Sequence, residues 1–128
     1  MSLRSPLGRV QGLGSAKSGS SHWIGQRITA VALTLLGIWF VVSLLTLGGL
    51  GHERVVAWLG APLQSALAVL FVLVAAWHAN LGLQVIVEDY VGDRGTRVAV
   101  LVFIKFALVV AAVAGVIAVL RIALGVAA

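Results

Sequence analysis

Three stretches of this chain are long and apolar enough to confine it to a membrane-spanning helical fold. Residues 28–47, ITAVALTLLGIWFVVSLLTL, carry no charge; a second stretch runs from Pro62 to about Val87, and a third covers about 98–120. Crossing a bilayer takes about 20 predominantly apolar residues. In lipid, a helix satisfies all its backbone hydrogen bonds within one segment. The chain therefore reads as an all-α integral membrane protein with three transmembrane helices, at about 28–47, 62–87 and 98–120. Residues 1–128 form a single membrane domain, with 1–27 as a cytoplasmic N-terminal segment. Composition agrees, since only 10% of the residues are charged and 61% are hydrophobic, against roughly 25% charged in a soluble domain.

The boundaries carry their own signals. The first window ends in the glycine-rich LGGLGH, 47–52. Pro62 suits a first helical turn, where its missing N–H would be unsatisfied anyway. The polar GDRGTR (92–97) precedes the third window and Arg121 follows it. Residues 53–61, ERVVAWLGA, read as a short interfacial turn with Trp58 at headgroup level. The segment GLGSAKSGSS (12–21) is flexible in composition, ordering against a partner if at all.

Arginine and lysine placement sets the expected orientation. With the N-terminus inside, Arg4, Arg9, Lys17, Arg27, Arg94 and Arg97 fall on the cytoplasmic side and Arg54 and Arg121 on the other. The expectation is N-terminus cytoplasmic, C-terminus extracytoplasmic. The first 22 residues lack an apolar core, so the first helix is expected to act as an uncleaved insertion signal. Topology and anionic lipid headgroups account for the net charge of +5, so no nucleic-acid partner is expected. The absence of cysteine excludes disulfides, iron–sulfur clusters and thiolate metal sites on this chain. Any cofactor needs histidine or oxygen ligands, and there are three histidines.

His78 falls inside the second window, about nine residues or roughly 14 Å from its cytoplasmic end. Ionisable groups at that depth are expensive and face the bundle interior. Two readings remain open: a neutral histidine bonded to a neighbouring helix, or an axial haem ligand using neutral imidazole. At the helical repeat Gly82, Val85 and Asp89 return to within about 40° of His78. Gly82 is then either room for a flat macrocycle or a small residue for close helix packing. Asn80 and Gln84 point off this stripe, toward bonds between helices. His22 precedes the first helix and His52 lies in the opposite loop, so neither reaches the level of His78. If haem binds, its second axial ligand must come from another chain.

Glu88, Asp89 and Tyr90 close the second window at the cytoplasmic interface, where a tyrosine hydroxyl can donate to a quinone carbonyl and a carboxylate can relay protons. The plainer reading is helix-end polarity with one interfacial aromatic. Arg27, on the same side, either snorkels to lipid phosphate or pairs with haem propionates. Lys105 reads as snorkelling, in preference to pairing with Asp89 or Glu88.

SHWIGQRITAVALTL (21–35), followed by H-x-x-x-G-x-x-x-x-x-x-D-Y over 78–90, resembles the smaller hydrophobic membrane anchor subunit of succinate dehydrogenase, respiratory complex II. The resemblance covers the first two helices and the three-helix layout; the third helix matches in hydropathy only. It implies that His78 is one axial ligand of haem b (haem iron), shared with a partner cytochrome b subunit in one helical bundle. It also implies that Tyr90 hydrogen-bonds ubiquinone with Asp89 beside it, and that Arg27 lies near the haem propionates and quinone pocket. Gly82 belongs to the same cofactor-facing stripe. The implied partners are the cytochrome b anchor, the iron–sulfur and flavoprotein subunits, ubiquinone and membrane lipids. The implied work is electron transfer from succinate to quinone, in the tricarboxylic acid cycle and respiratory chain, by an anchor with no catalysis of its own. Two alternatives stand beside it: a haem-free structural scaffold and a small transporter. A transporter would need mid-membrane charge or broken helices, and no acid lies mid-membrane here. The lack of an Arg/Ser-rich amphipathic leader points to a bacterial inner membrane.

Overall fold

The computed structural model of the chain describes Leu7 and residues 19–126. Arg4, Arg9 and Lys17, expected to flank the first helix, lie outside the described residues, as do positions 12–18 of the glycine/serine segment. Four helices fill 19–126: α1, Gly19–Thr46; α2, His52–Gly60; α3, Pro62–Tyr90; and α4, Arg94–Ala123. Helices α1, α3 and α4 are each long and apolar enough to cross a membrane. The chain is a multi-pass membrane protein of all-helical architecture, as the three apolar windows require.

The helices outrun those windows. At 28, 29 and 30 residues, α1, α3 and α4 measure about 42–45 Å. The hydrocarbon layer is about 30 Å thick, so apolar residues mark only the lipid-immersed part and polar turns continue beyond it. Helix α1 accordingly starts at Gly19 rather than 28, and takes in Ser20, Ser21 and His22. The interfacial segment is a full helix, α2, not a turn.

Each junction has a local cause. Gly48 and Gly49 end α1 with φ of 68° and 139°, a left-handed excursion that favours glycine. The Arg54 guanidinium then donates to the exposed carbonyls of Leu47 and Gly48, groups that the helix end leaves without partners. Pro62 opens α3 just past the end of α2. Asp93 caps α4, its carboxylate accepting from the Thr96 backbone N–H at 2.7 Å. Arg97 donates back to Val91 and Gly92, at 2.9 and 3.2 Å, and so pins the loop between α3 and α4.

The Thr96 amide, followed by the Thr96 hydroxyl, holds the Asp93 carboxyl below its ordinary value against a small opposing effect of desolvation. A carboxylate depressed in the folded state stabilises above its unfolded pKa, and that contribution is lost as pH falls through the lowered folded value. Protection of the Thr96 amide from hydrogen exchange should therefore drop in acid. Asp93→Asn keeps an acceptor but cannot titrate, so its Thr96 protection should lose this acid sensitivity. If Asp93→Asn proved as acid-sensitive as the parent, the effect would belong to another group.

Helix α3 is the central element. Both α1 and α4 approach it closely, whereas α1 and α4 do not approach each other among the described residues. Small residues line the α3–α4 groove, among them Ala75, Ala76, Ala79, Ala111 and Ala112, which lets the two backbones pack closely. A Cβ at Gly115 would sit 3.1 Å from Val72 Cγ1, so that crossing has no spare room. Gly115→Leu should lower thermal stability of the detergent-purified protein by about 1–3 kcal/mol through overpacking. An unchanged melting profile would mean the groove can open without loss.

At the opposite end from Tyr90, aromatic rings tie α1, α2 and α3 together. Trp39 stacks on Trp58 at 5.7 Å and Phe40 on Phe71 at 5.4 Å. The Trp39 indole N–H donates to Gln64 Oε1 at 3.1 Å, so the polar edge of a largely apolar ring is satisfied. Most large apolar side chains instead face outward; Phe103, for example, is 72% exposed. In water this would be a liability, while in lipid it is the expected surface.

Candidate functional site

Helices α1 and α3 run antiparallel, and their contacts fix the register. A Cβ on Gly25 would lie 3.4 Å from Leu81 Cδ1, and one on Gly82 would lie 3.6 Å from Gln26 Nε2. Alongside these glycines Thr29 Oγ1 meets His78 Nδ1 at 2.8 Å. His78 sits twelve residues before Tyr90, the last residue of α3, which places it about 18 Å from that end.

The His78 ring is half-buried, and Thr29 is its one hydrogen-bonding partner among the described residues. Nε2 is thus available, while Nδ1 is anchored. A second nitrogen held by a fixed partner is the usual support of a metal-ligating histidine, and neutral imidazole suits haem iron. The donor set fits one side of a haem. It does not make a complete metal centre: among the described residues no three His, Cys, Asp or Glu side chains come together.

His22 differs from expectation in placement. It lies within α1, not ahead of it, because the polar turns 19–27 extend the helix beyond the hydrocarbon layer. With Gln26 and Thr29 it forms a polar stripe at the i, i+4, i+7 spacing of one helix face. The His22 Nε2 and Gln26 Oε1 atoms are buried with no hydrogen-bond partner. His22 is still seven residues from Thr29, roughly 10 Å along the axis, and His52 opens α2 near the other end of the bundle.

The remaining candidates are not gathered at this seam. Arg27 is exposed, and its guanidinium lies 5.4 Å from the Trp23 ring centroid, a cation–π contact. Asp89 is exposed and Tyr90 is 86% exposed, at the tip of α3. Gln84 donates to Glu88 Oε1 at 2.8 Å within α3, so it does not bridge helices as the stripe geometry implies. Asn80 and Trp77 share a groove with the exposed Lys105 between α3 and α4. Neither hydropathy nor charge singles out Thr29 and Gln26. Their one signal in the sequence is the H-x-x-x-Q-x-x-T spacing at 22–29, which has meaning only once 22–27 is known to be helical.

Three apolar spans, with a polar seam between α1 and α3 and a polar rim at one end, define a small helical membrane subunit. The chain belongs to the succinate dehydrogenase/fumarate reductase transmembrane subunit family, whose pattern matches residues 1–118. It is 33% identical over 119 residues to the succinate dehydrogenase hydrophobic membrane anchor subunit of Rickettsia bellii (strain RML369-C), covering 91% of this chain and 94% of that one. The subunit of the same name from Paracoccus denitrificans is 35% identical over 98 residues, 77% of this chain and 75% of its own. That from Rickettsia conorii (strain ATCC VR-613 / Malish 7) is 30% identical over 117 residues, 91% and 93% respectively.

Proposed function

We propose that this chain is the small membrane anchor of a succinate:quinone oxidoreductase, holding one axial position of haem b through His78. The observation that carries the reading is the His78 ring itself: half-buried within an apolar span, with Nδ1 held by Thr29 and Nε2 unpartnered. A histidine present only to satisfy a neighbouring helix would gain nothing from an imidazole nitrogen left open within an apolar span. The second axial ligand would come from a partner cytochrome b subunit, since neither His22 nor His52 reaches the level of His78.

Bound haem supplies one-electron storage between donor and acceptor. The other roles belong to this chain's own residues. Tyr90 donates its hydroxyl hydrogen bond to a ubiquinone carbonyl at the membrane surface. Asp89, the next residue around the helix tip, orients that hydroxyl or relays protons to the reduced quinone. Arg27, exposed at the same end of the bundle, neutralises haem propionates. Gly82, one turn along α3 from His78, leaves room for the flat macrocycle beside the ligand. The chain docks the iron–sulfur and flavoprotein subunits, does no chemistry on succinate itself, and sits N-terminus inward in a bacterial inner membrane. The arginine and lysine distribution supports that orientation.

Purification in mild detergent, with mass identification of co-purifying chains and a reduced-minus-oxidised spectrum, tests the reading. Three partner subunits and a b-type spectrum are expected. The same partners without any haem band would leave a haem-free scaffold, and absence of the partners would remove the anchor reading altogether.

A further inference from the structure

Thr29 is 2% exposed, the most buried side chain among the described residues, and it is polar. Its hydroxyl has three neighbours: the Gly25 carbonyl at 2.8 Å, the Gln26 carbonyl at 3.1 Å and His78 Nδ1 at 2.8 Å. A hydroxyl has one proton to give and two lone pairs. Two oxygens as close as Thr29 Oγ1 and the Gly25 carbonyl repel unless a proton lies between them. That proton therefore points to the carbonyls of the preceding turn, as threonine commonly does within a helix. The oxygen then meets the imidazole with a lone pair. The contact with His78 is a hydrogen bond only if Nδ1 carries the proton and donates it. A neutral imidazole protonated at Nδ1 has its lone pair on Nε2.

We propose that Thr29 is a positioning residue that fixes His78 in the Nδ1–H tautomer, keeps Nε2 open to iron, and tunes the redox potential of the haem. The inference rests on His78 being the axial ligand. Gly25 and Gly82 lie on the same seam, facing Leu81 and Gln26 across it. Donation from Nδ1–H to an oxygen acceptor strengthens Nε2 as a base. A stronger donor favours the ferric over the ferrous state, so the bond to Thr29 lowers the haem potential.

The experiment compares three variants within the assembled complex, reading haem per flavin and haem midpoint potential. Thr29→Val keeps shape and removes the acceptor. It should weaken haem retention roughly 10–100-fold, as for loss of a supporting partner to a ligand, and raise the midpoint potential of what remains. Thr29→Ser restores the hydroxyl and should return both readings to the parent values, which a purely steric role would not predict. Should Thr29→Val not assemble, Thr29→Ala carries the same two expectations. A Val or Ala variant with parental haem content and potential overturns the proposal, even while His78→Leu lacks haem and the ligand assignment stands. A haem spectrum untouched by His78→Leu overturns the ligand assignment, and this inference with it.

Discussion

His78→Leu should strip the b-type haem from the complex while leaving its subunits assembled. The loss should exceed the roughly 10–100-fold in affinity that removal of a mere supporting partner costs, because the coordinating atom itself is gone. The fold should tolerate the change. Leucine is at home in lipid, and Thr29 keeps its bond to the Gly25 carbonyl when the imidazole is absent. The bundle is held elsewhere, by the Gly115–Val72 crossing and the stacked rings of Trp39, Trp58, Phe40 and Phe71. Haem content relative to flavin, with the reduced-minus-oxidised spectrum, reads the outcome. Parental haem content would remove His78 from the iron.

Tyr90→Phe should separate electron delivery from assembly. The side chain is 86% exposed and makes no hydrogen bond among the described residues, so deleting its oxygen disturbs no packing. Removing a donor aimed at a reacting oxygen typically slows a reaction on the order of 100-fold. Succinate-to-quinone turnover should fall by about that factor, while succinate oxidation with a soluble artificial acceptor and the haem spectrum stay at parental levels. Quinone turnover at the parental rate would place the quinone contact on other residues.

The spans are legible in the sequence because hydropathy responds to lipid and to little else. The same property hides their ends. Ser20, Ser21 and His22 are helical but polar, and a scan for apolar residues stops where the hydrocarbon stops, not where the helix does. Asp93 and Thr96, three residues apart at the start of α4, form a legible cap, although hydropathy marks them only as a polar boundary. His78 stands out by being ionisable at depth. Its partner does not: threonine is unremarkable in a membrane helix, and the pairing of positions 29 and 78 depends on the register between α1 and α3, which the contacts of Gly25 and Gly82 set. Gln84 shows the converse error, since helical angle gives its direction but not the nearer acceptor, Glu88, one turn along.

Helices α1 and α4 each pack on α3 and do not approach each other among the described residues, and most of the large apolar side chains on the three spans stay exposed. Alone in a bilayer that surface orders the acyl chains lying against it. A partner subunit laid over part of it frees those chains, and the freed lipid, together with close packing, drives association without any hydrophobic effect between the helices. The uncovered surface thus makes the surrounding lipid a participant in building the complex.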